Sequence, residues 1–301
     1  MHTELHSRSR TVIIGPDQPF VLIGERINPT GRKKLGAQMA AGDFSAVRSD
    51  ARAQAAAGAC VLDVNAGSPL GDEVVMLREA VRAIQNVEDV PLCLDSSRVE
   101  ALEAALAVYT GKAVVNSVTG EEARLELILP LIRKYGCAVI GLVSDEGGIS
   151  NDPGQRLAVA RKILERARDH GVPPSDVILD PLCLAVATGP RSALVTFETM
   201  RRIRDELGVN LCCGASNVSF GLPDRAALTA AFLPMAVMCG LTSAIADVTQ
   251  PIVREAVLAG DLLCARDENA ARWLAHYREK RKAMADASSH ISSAKPDRVH
   301  A

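Results

Sequence analysis

The chain is constrained most by a repeat. Eight short apolar runs, each passing into polar residues, occupy 20–24, 60–64, 92–94, 113–115, 137–143, 177–179, 211–214 and 243–246. Helical stretches lie between them, at 43–57, 72–86, 98–109, 121–135, 153–170, 193–207 and 226–239. Within 72–86, Val74, Leu77, Val81 and Ile84 recur at spacings of three and four, the mark of one apolar helix face. Asp152-Pro153 reads as a helix start, with Asp at the N-cap and Pro in the first turn. Gly58, Gly136, Gly171 and Gly208 stand where helices should stop. Eight βα units in roughly 250 residues match a closed (β/α)8 barrel. An open doubly wound sheet would want a glycine-rich phosphate turn after its first strand. Gly24-Glu25-Arg26-Ile27-Asn28-Pro29 is not one, and Gly111-Lys112 lacks the earlier glycine of a P-loop. The expected architecture is therefore α/β, a single (β/α)8 TIM barrel over residues 19–266. A leader (1–18) precedes it. A polar helix (267–285) with the only tryptophan, Trp273, and a disordered tail (286–301) follow.

Composition narrows the function classes. Apolar residues make up 48% of the chain and aromatics only 3%, so the core is aliphatic, as buried parallel strands and their covering helices require. The net charge of −2 has no basic excess, which argues against nucleic acid as a partner. None of the eight cysteines forms Cys-x-x-Cys, and five lie in strand-like runs. They read as reduced core residues of a cytoplasmic protein, and no signal peptide opens the chain. Residues 226–246 carry no charge, but Pro234, Gly240, Thr242 and Ser243 interrupt them. A buried helix and a strand explain this run better than a membrane span.

In a barrel the carboxyl ends of the strands converge on one mouth, where active sites sit. The residues expected there are Glu25, Asp63, Asn65, Asp95, Asn116, Asp180, Asn217 and Asp247. His2, His6, His170, His276, His290 and His300 all fall in tails, in the C-terminal helix or at a helix end, so a histidine-held zinc is not expected. No strand-end lysine offers a Schiff base. The chain is expected to bind no metal of its own, carboxylates alone leaving Mg²⁺ as the alternative. Carboxylates and carboxamides without metal or base suit a planar heterocycle with an amidine-like edge, such as the 2-amino-4-oxo edge of a pterin. The same residue types also cap helices and close Asx-turns, as Asp95 before Ser96-Ser97 does.

Six runs in order carry a family resemblance. They are Ile23-Gly24-Glu25-Arg26-Ile27-Asn28, Leu62-Asp63-Val64-Asn65-Ala66-Gly67, Leu92-Cys93-Leu94-Asp95-Ser96-Ser97, Val115-Asn116-Ser117, Leu179-Asp180-Pro181-Leu182 and Gly214-Ala215-Ser216-Asn217-Val218-Ser219-Phe220-Gly221. The chain resembles the methyltetrahydrofolate:corrinoid protein methyltransferases and the folate domain of cobalamin-dependent methionine synthase. The resemblance implies a pterin-binding, dihydropteroate synthase-like barrel, usually a homodimer. It implies transfer of the N5-methyl group between methyltetrahydrofolate and the cobalt of a corrinoid on a separate protein. Carried over by motif, Asp95, Asn116 and Asp180 bind the pterin edge, and Gly214, Ser216 and Ser219 belong to the loop along the ring. Asn217 is the catalytic residue near N5. Glu25, Asp63, Asn65, Phe220 and Asp247 have supporting roles. Phe220 stands where some stand-alone members carry a polar amide, so it offers no amide contact there. Arg32, Lys33 and Lys34 are candidates for the glutamate tail, and loops 28–36 and 144–152 are candidates to admit the corrinoid. Two rival readings follow from the same barrel. A dihydropteroate synthase would need a different first-strand run and late basic residues. A non-catalytic folate-binding subunit would not need Asn217.

Overall fold

The structure, a computed structural model, describes residues 1–293. A hairpin of β1 (Thr3–His6) and β2 (Thr11–Ile14) comes first. Then β3 (Val21–Ile27), α1 (Lys33–Ala40), α2 (Ser45–Ala56), β4 (Val61–Asn65), α3 (Glu73–Gln85), β5 (Leu92–Asp95), α4 (Val99–Leu106), β6 (Val114–Thr119) and α5 (Glu122–Tyr135) follow. The second half runs through β7 (Ala138–Leu142), α6 (Pro153–Asp169), β8 (Val177–Asp180), α7 (Ser192–Leu207), α8 (Arg225–Met238), β9 (Ser243–Ala246), α9 (Pro251–Leu263) and α10 (Ala271–Ser293).

Seven parallel strands form one sheet in the order β8-β7-β6-β5-β4-β3-β9. The gap between β8 and β9 is where the seventh apolar run belongs. Residues 211–214 fill it through single parallel bridges, Leu179 to Leu211 and Gly214 to Ile245, rather than through a continuous ladder. Cys212 N–H donates to Leu179 C=O at 3.0 Å, and Ile245 N–H donates to Cys213 C=O at 2.9 Å. The barrel thus closes with eight positions, one of them too short to count as a regular strand.

Side chains alternate across each strand, so one set fills the barrel and the other meets the helices. Val21 and Ile23, Val61, Cys93, Val114, Ala138 and Ile140, Ile178 and Cys212 point into the barrel and form one apolar cluster. Leu62, Val64, Leu92, Leu94, Val115, Val139 and Leu179 pack outward beneath the helices in the larger core.

Residues 1–18, expected as a leader, contain a floor for the barrel. Leu5, Val12 and Ile14 of the hairpin join the interior cluster, and Leu5 and Ile14 are fully buried. His6 and Lys112 exchange backbone hydrogen bonds at 2.9 Å. A Cβ on Gly111 would lie 2.1 Å from the His6 carbonyl oxygen, so this close approach needs glycine. The buried Asn210 amide donates to Thr3 Oγ1 and Ile14 C=O at 3.0 and 2.9 Å. The uncharged 226–246 run divides as expected into α8 and β9, and among the described residues no helix is long and apolar enough to cross a membrane. The C-terminal helix, expected to stop at 285, extends to Ser293. Residues 294–301 of the expected disordered tail lie outside the described residues.

Candidate functional site

The period of two that buries the barrel's apolar layer also builds its mouth. One inward step beyond Ile23 is Glu25, and beyond Val61 come Asp63 and Asn65. Beyond Cys93 is Asp95, beyond Val114 is Asn116, and beyond Ile178 is Asp180. Asp247 follows Ile245 in the same way. A polar layer therefore lies directly on the aliphatic one.

At its centre four of these residues make a network. Asn116 Nδ2 donates to Asp63 Oδ1 at 3.2 Å, and Asn65 Nδ2 donates to Asp95 Oδ2 at 2.9 Å. Asn65 Oδ1 is occupied by the N–H of Gly67 at 2.8 Å, which fixes which end of the amide faces Asp95. Burial is the main force on both carboxyls. It raises Asp63 well above the ordinary carboxylate range, and the Asp95 charge adds to the rise. Asp95 is raised too, by burial first, with the Asn65 hydrogen bond opposing. Burial thus biases both carboxyls toward their protonated forms.

Asp180 ends β8 and is 8% exposed. Its Oδ1 accepts the Leu182 N–H at 2.7 Å, and the Gly214 backbone also stabilises its charge. Burial outweighs these bonds and lifts the group to about 7.

A second cluster lies on the rim. Ser216 Oγ donates to Glu25 Oε1 at 2.9 Å. Burial raises Glu25, the Ser216 bond opposes, and Asp247 adds to the rise. Asp247 Oδ1 accepts from Thr249 N–H at 3.1 Å and from its hydroxyl at 2.5 Å, while Arg26 lies 3.9 Å from Oδ2. Glu25, Arg26, Ser216, Arg225, Asp247 and Gln250 line a cavity of about 340 Å³ there. Glu25 lies inside β3, since this strand continues to Ile27 through a register shift, and not past its end as the apolar run suggests.

The turn Ala215–Ser219 carries Asn217 and Ser219. Asn217 is exposed, and among the described residues its carboxamide has no hydrogen-bond partner. A Cβ on Gly214 would meet Asn217 Nδ2 at 2.9 Å, so glycine at 214 leaves room for that amide. Ser219 is buried, and its hydroxyl donates to Ser216 C=O at 3.1 Å. Phe220 is 64% exposed, its ring 5.6 Å from the Arg225 guanidinium.

Arg225 and Arg156 were not foreseen as site residues. Arg225 Nη2 donates to Ser216 C=O at 2.8 Å and so braces the Asn217 turn. Arg156 is fully buried beneath the loop after β8. Its only sequence signal is position, because it shares the inward stripe of α6 with Ala160, Ile163 and Ala167. Of the basic residues expected to meet a glutamate tail, Arg32 is already paired with Asp50 at 2.6 Å, while Lys33 and Lys34 are exposed at the start of α1.

A family model described as pterin binding enzyme matches residues 24–247. The chain is 29% identical over 268 residues to the methylcorrinoid:tetrahydrofolate methyltransferase of Eubacterium limosum, covering 86% of this chain and 97% of that one. Its fold resembles the dihydropteroate synthase of Thermus thermophilus, with a TM-score of 0.63, 24% identity, and coverage of 86% of this chain and 99% of the other. Yersinia pestis dihydropteroate synthase gives a TM-score of 0.62 at 17% identity, covering 88% of this chain and 100% of the other. The match over β3 to β9 takes in every polar position of the mouth from Glu25 to Asp247, and on it the chain belongs to the family of pterin binding enzymes.

Proposed function

We propose that this protein is a methyltransferase that moves the N5-methyl group between methyltetrahydrofolate and the cobalt of a corrinoid held by a separate protein. The observation that carries the reading is the inward layer of Asp95, Asn116 and Asp180 with the unpartnered Asn217 amide on the adjoining turn. Similarity to the Eubacterium limosum protein supports it, and that protein's name makes tetrahydrofolate the methyl acceptor. The same site serves both directions.

Each residue then has a chemical task. Asp180 and Asp95 accept N–H bonds from the pterin's amidine edge, and Asn116 both donates and accepts. Glu25 holds Ser216 and thereby the turn that presents Asn217. A tertiary amine is a poor leaving group, so N5 must gain positive character as its bond to methyl breaks. Co(I) supplies the electron pair that forms the cobalt–carbon bond, and the pair of the broken C–N bond remains on N5. Asn217 accepts a hydrogen bond from protonated N5. Being neutral, it does not hold the proton permanently. In the reverse direction tetrahydrofolate N5 supplies the pair that forms the C–N bond, the pair of the broken cobalt–carbon bond stays on cobalt as Co(I), and the proton that N5 sheds leaves along the Asn217 contact.

Purified protein should transfer methyl from methyltetrahydrofolate to free cob(I)alamin, followed by absorbance. Asn217→Ala should lower the transfer rate by about 10²–10³-fold, as loss of an oxyanion-hole donor does. Its folate affinity should change far less. Equal losses in rate and affinity would remove Asn217 from the transition state. Tight folate binding without transfer in the unaltered protein would favour a non-catalytic subunit.

A further inference from the structure

Arg156 has an arrangement that the methyl-transfer reading does not use. The side chain is 0% exposed, on the second turn of α6. Its Nε donates to Ser150 C=O at 2.6 Å, in the loop after β7. Its Nη1 donates to Pro181 C=O at 2.7 Å and to Leu182 C=O at 2.9 Å, in the loop after β8. Nη2 is buried with no partner. One guanidinium therefore spans two adjacent mouth loops through carbonyls alone, with no carboxylate hydrogen-bonded to it.

The turn that it grips is a constrained one. Leu182 has φ +63°, a left-handed conformation that costs a side-chain-bearing residue energy. Such conformations persist where the surroundings over-determine them. Here the Leu182 carbonyl accepts from Arg156 and from Thr196 Oγ1 at 3.1 Å, and its N–H donates to Asp180 Oδ1 at 2.7 Å. Arg156 and the Asp180 carboxylate thus hold opposite ends of one residue. The titratable groups facing Asp180 are Arg156 from α6 and the thiols of Cys212 and Cys213 at the seventh strand position. Burial pushes the Cys212 thiol up, and the hydrogen bond with Cys183 followed by burial pushes Cys213 up, so both stay neutral at pH 7. Arg156 is left as the charge acting on Asp180.

We propose that Arg156 is a positioning residue for the pterin-edge carboxylate: it clamps the Pro181–Leu182 turn that orients Asp180, and ties that turn to the loop after β7. The proposal rests on the assignment of Asp180 to the pterin edge. Arg156 touches no substrate, and it sets both the aim of Asp180 and the pH at which Asp180 becomes an acceptor. An ionised Asp180 binds the edge, so affinity should rise with pH through about 7 in the unaltered protein. Removing the guanidinium charge raises the Asp180 pKa and moves this midpoint upward.

The experiment is titration with tetrahydrofolate across neutral pH, by calorimetry, for the unaltered protein, Arg156→Met, Arg156→Lys and Asp180→Asn. Thermal melts check that each variant is folded. Arg156→Met should move the midpoint up by about one unit and weaken binding at least about fivefold at pH 7. Arg156→Lys keeps the charge but not the planar fork. It should keep the midpoint and bind more weakly at every pH. A folded Arg156→Met with unchanged affinity and midpoint overturns the proposal. If Arg156→Met does not fold, Arg156→Lys decides, and its binding like the unaltered protein at every pH overturns the proposal equally. Unchanged affinity in Asp180→Asn would instead remove Asp180 from the pterin edge, and the Arg156 proposal would fall with it.

Discussion

Asp63 sits in the barrel interior among carboxyls and not cations, with Asp95 and Glu25 both adding to its rise. Its folded pKa lies above the value of about 3.9 it has in an unfolded chain. The folded state therefore keeps a proton that the unfolded state has released, and folding is penalised increasingly as pH climbs from that value toward the raised one. Asparagine reproduces the protonated carboxyl without the proton, and its Oδ1 can still accept from Asn116. Asp63→Asn should raise the melting temperature by at least about 2 °C at pH 8. The gain should be smaller at pH 5. A difference independent of pH, read by calorimetric melts, would show that Asp63 is not the group being titrated. The same geometry explains which site residues were legible. Asp95, Asn116 and Asp180 stand one inward step past an apolar residue, and the alternation is visible in the sequence. Arg156 shares its helix stripe with alanines and an isoleucine, and a long basic side chain at such a place reads as solvated until the carbonyls it bonds are seen. The bonds from Asn116 to Asp63 and from Asn65 to Asp95 depend on side-chain angles, which no spacing encodes.

At the scale of elements, the barrel strands and α2 to α8 were legible because each βα unit announces itself locally, whereas α9 was not foreseen and α1 begins at Lys33, inside the stretch 28–36 expected as a loop. Asp152 and Asp72 cap α6 and α3 with their own carboxylates, accepting from Gly154 and Val74. The seventh strand was legible as an apolar run but not as a broken one. Its cysteines are buried like any strand residues, yet pairing survives only at Leu211 and Gly214, where the backbone turns into the Asn217 loop. The β1–β2 hairpin was not legible as a floor, because its partners are strand starts distant in sequence. Leu5 shows how much the floor matters. It is fully buried in the barrel interior among residues such as Val21 and Val61. Leu5→Ala should cost about 2–5 kcal/mol, since nothing nearby can collapse into a space walled by a closed sheet. Urea unfolding at equilibrium measures this, and a cost under about 1 kcal/mol would mean that the hairpin merely rests against the barrel.

At the scale of the molecule, the hairpin makes the two ends of the barrel unequal. The floor is filled by Leu5, Val12 and Ile14, so a bulky partner reaches the centre only from the mouth. On that rim Phe220 is 64% exposed, three residues past Asn217, with Arg225 stacked on its ring. An exposed aromatic beside an arginine is the composition that protein interfaces favour at their energetic centres. Under the proposed function, free cob(I)alamin would need only the opening, whereas a corrinoid protein would have to lay its surface against the rim. The two acceptors therefore separate docking from chemistry. Phe220→Asp should lower kcat/KM at least tenfold or so with the corrinoid protein, the loss expected when an interface aromatic is replaced. The rate with free cob(I)alamin should barely move, and folate affinity should hold. Equal losses with both acceptors would place Phe220 on the folate side of the reaction. No loss with either would put the docking surface elsewhere on the rim, toward Lys33 and Lys34 at the start of α1.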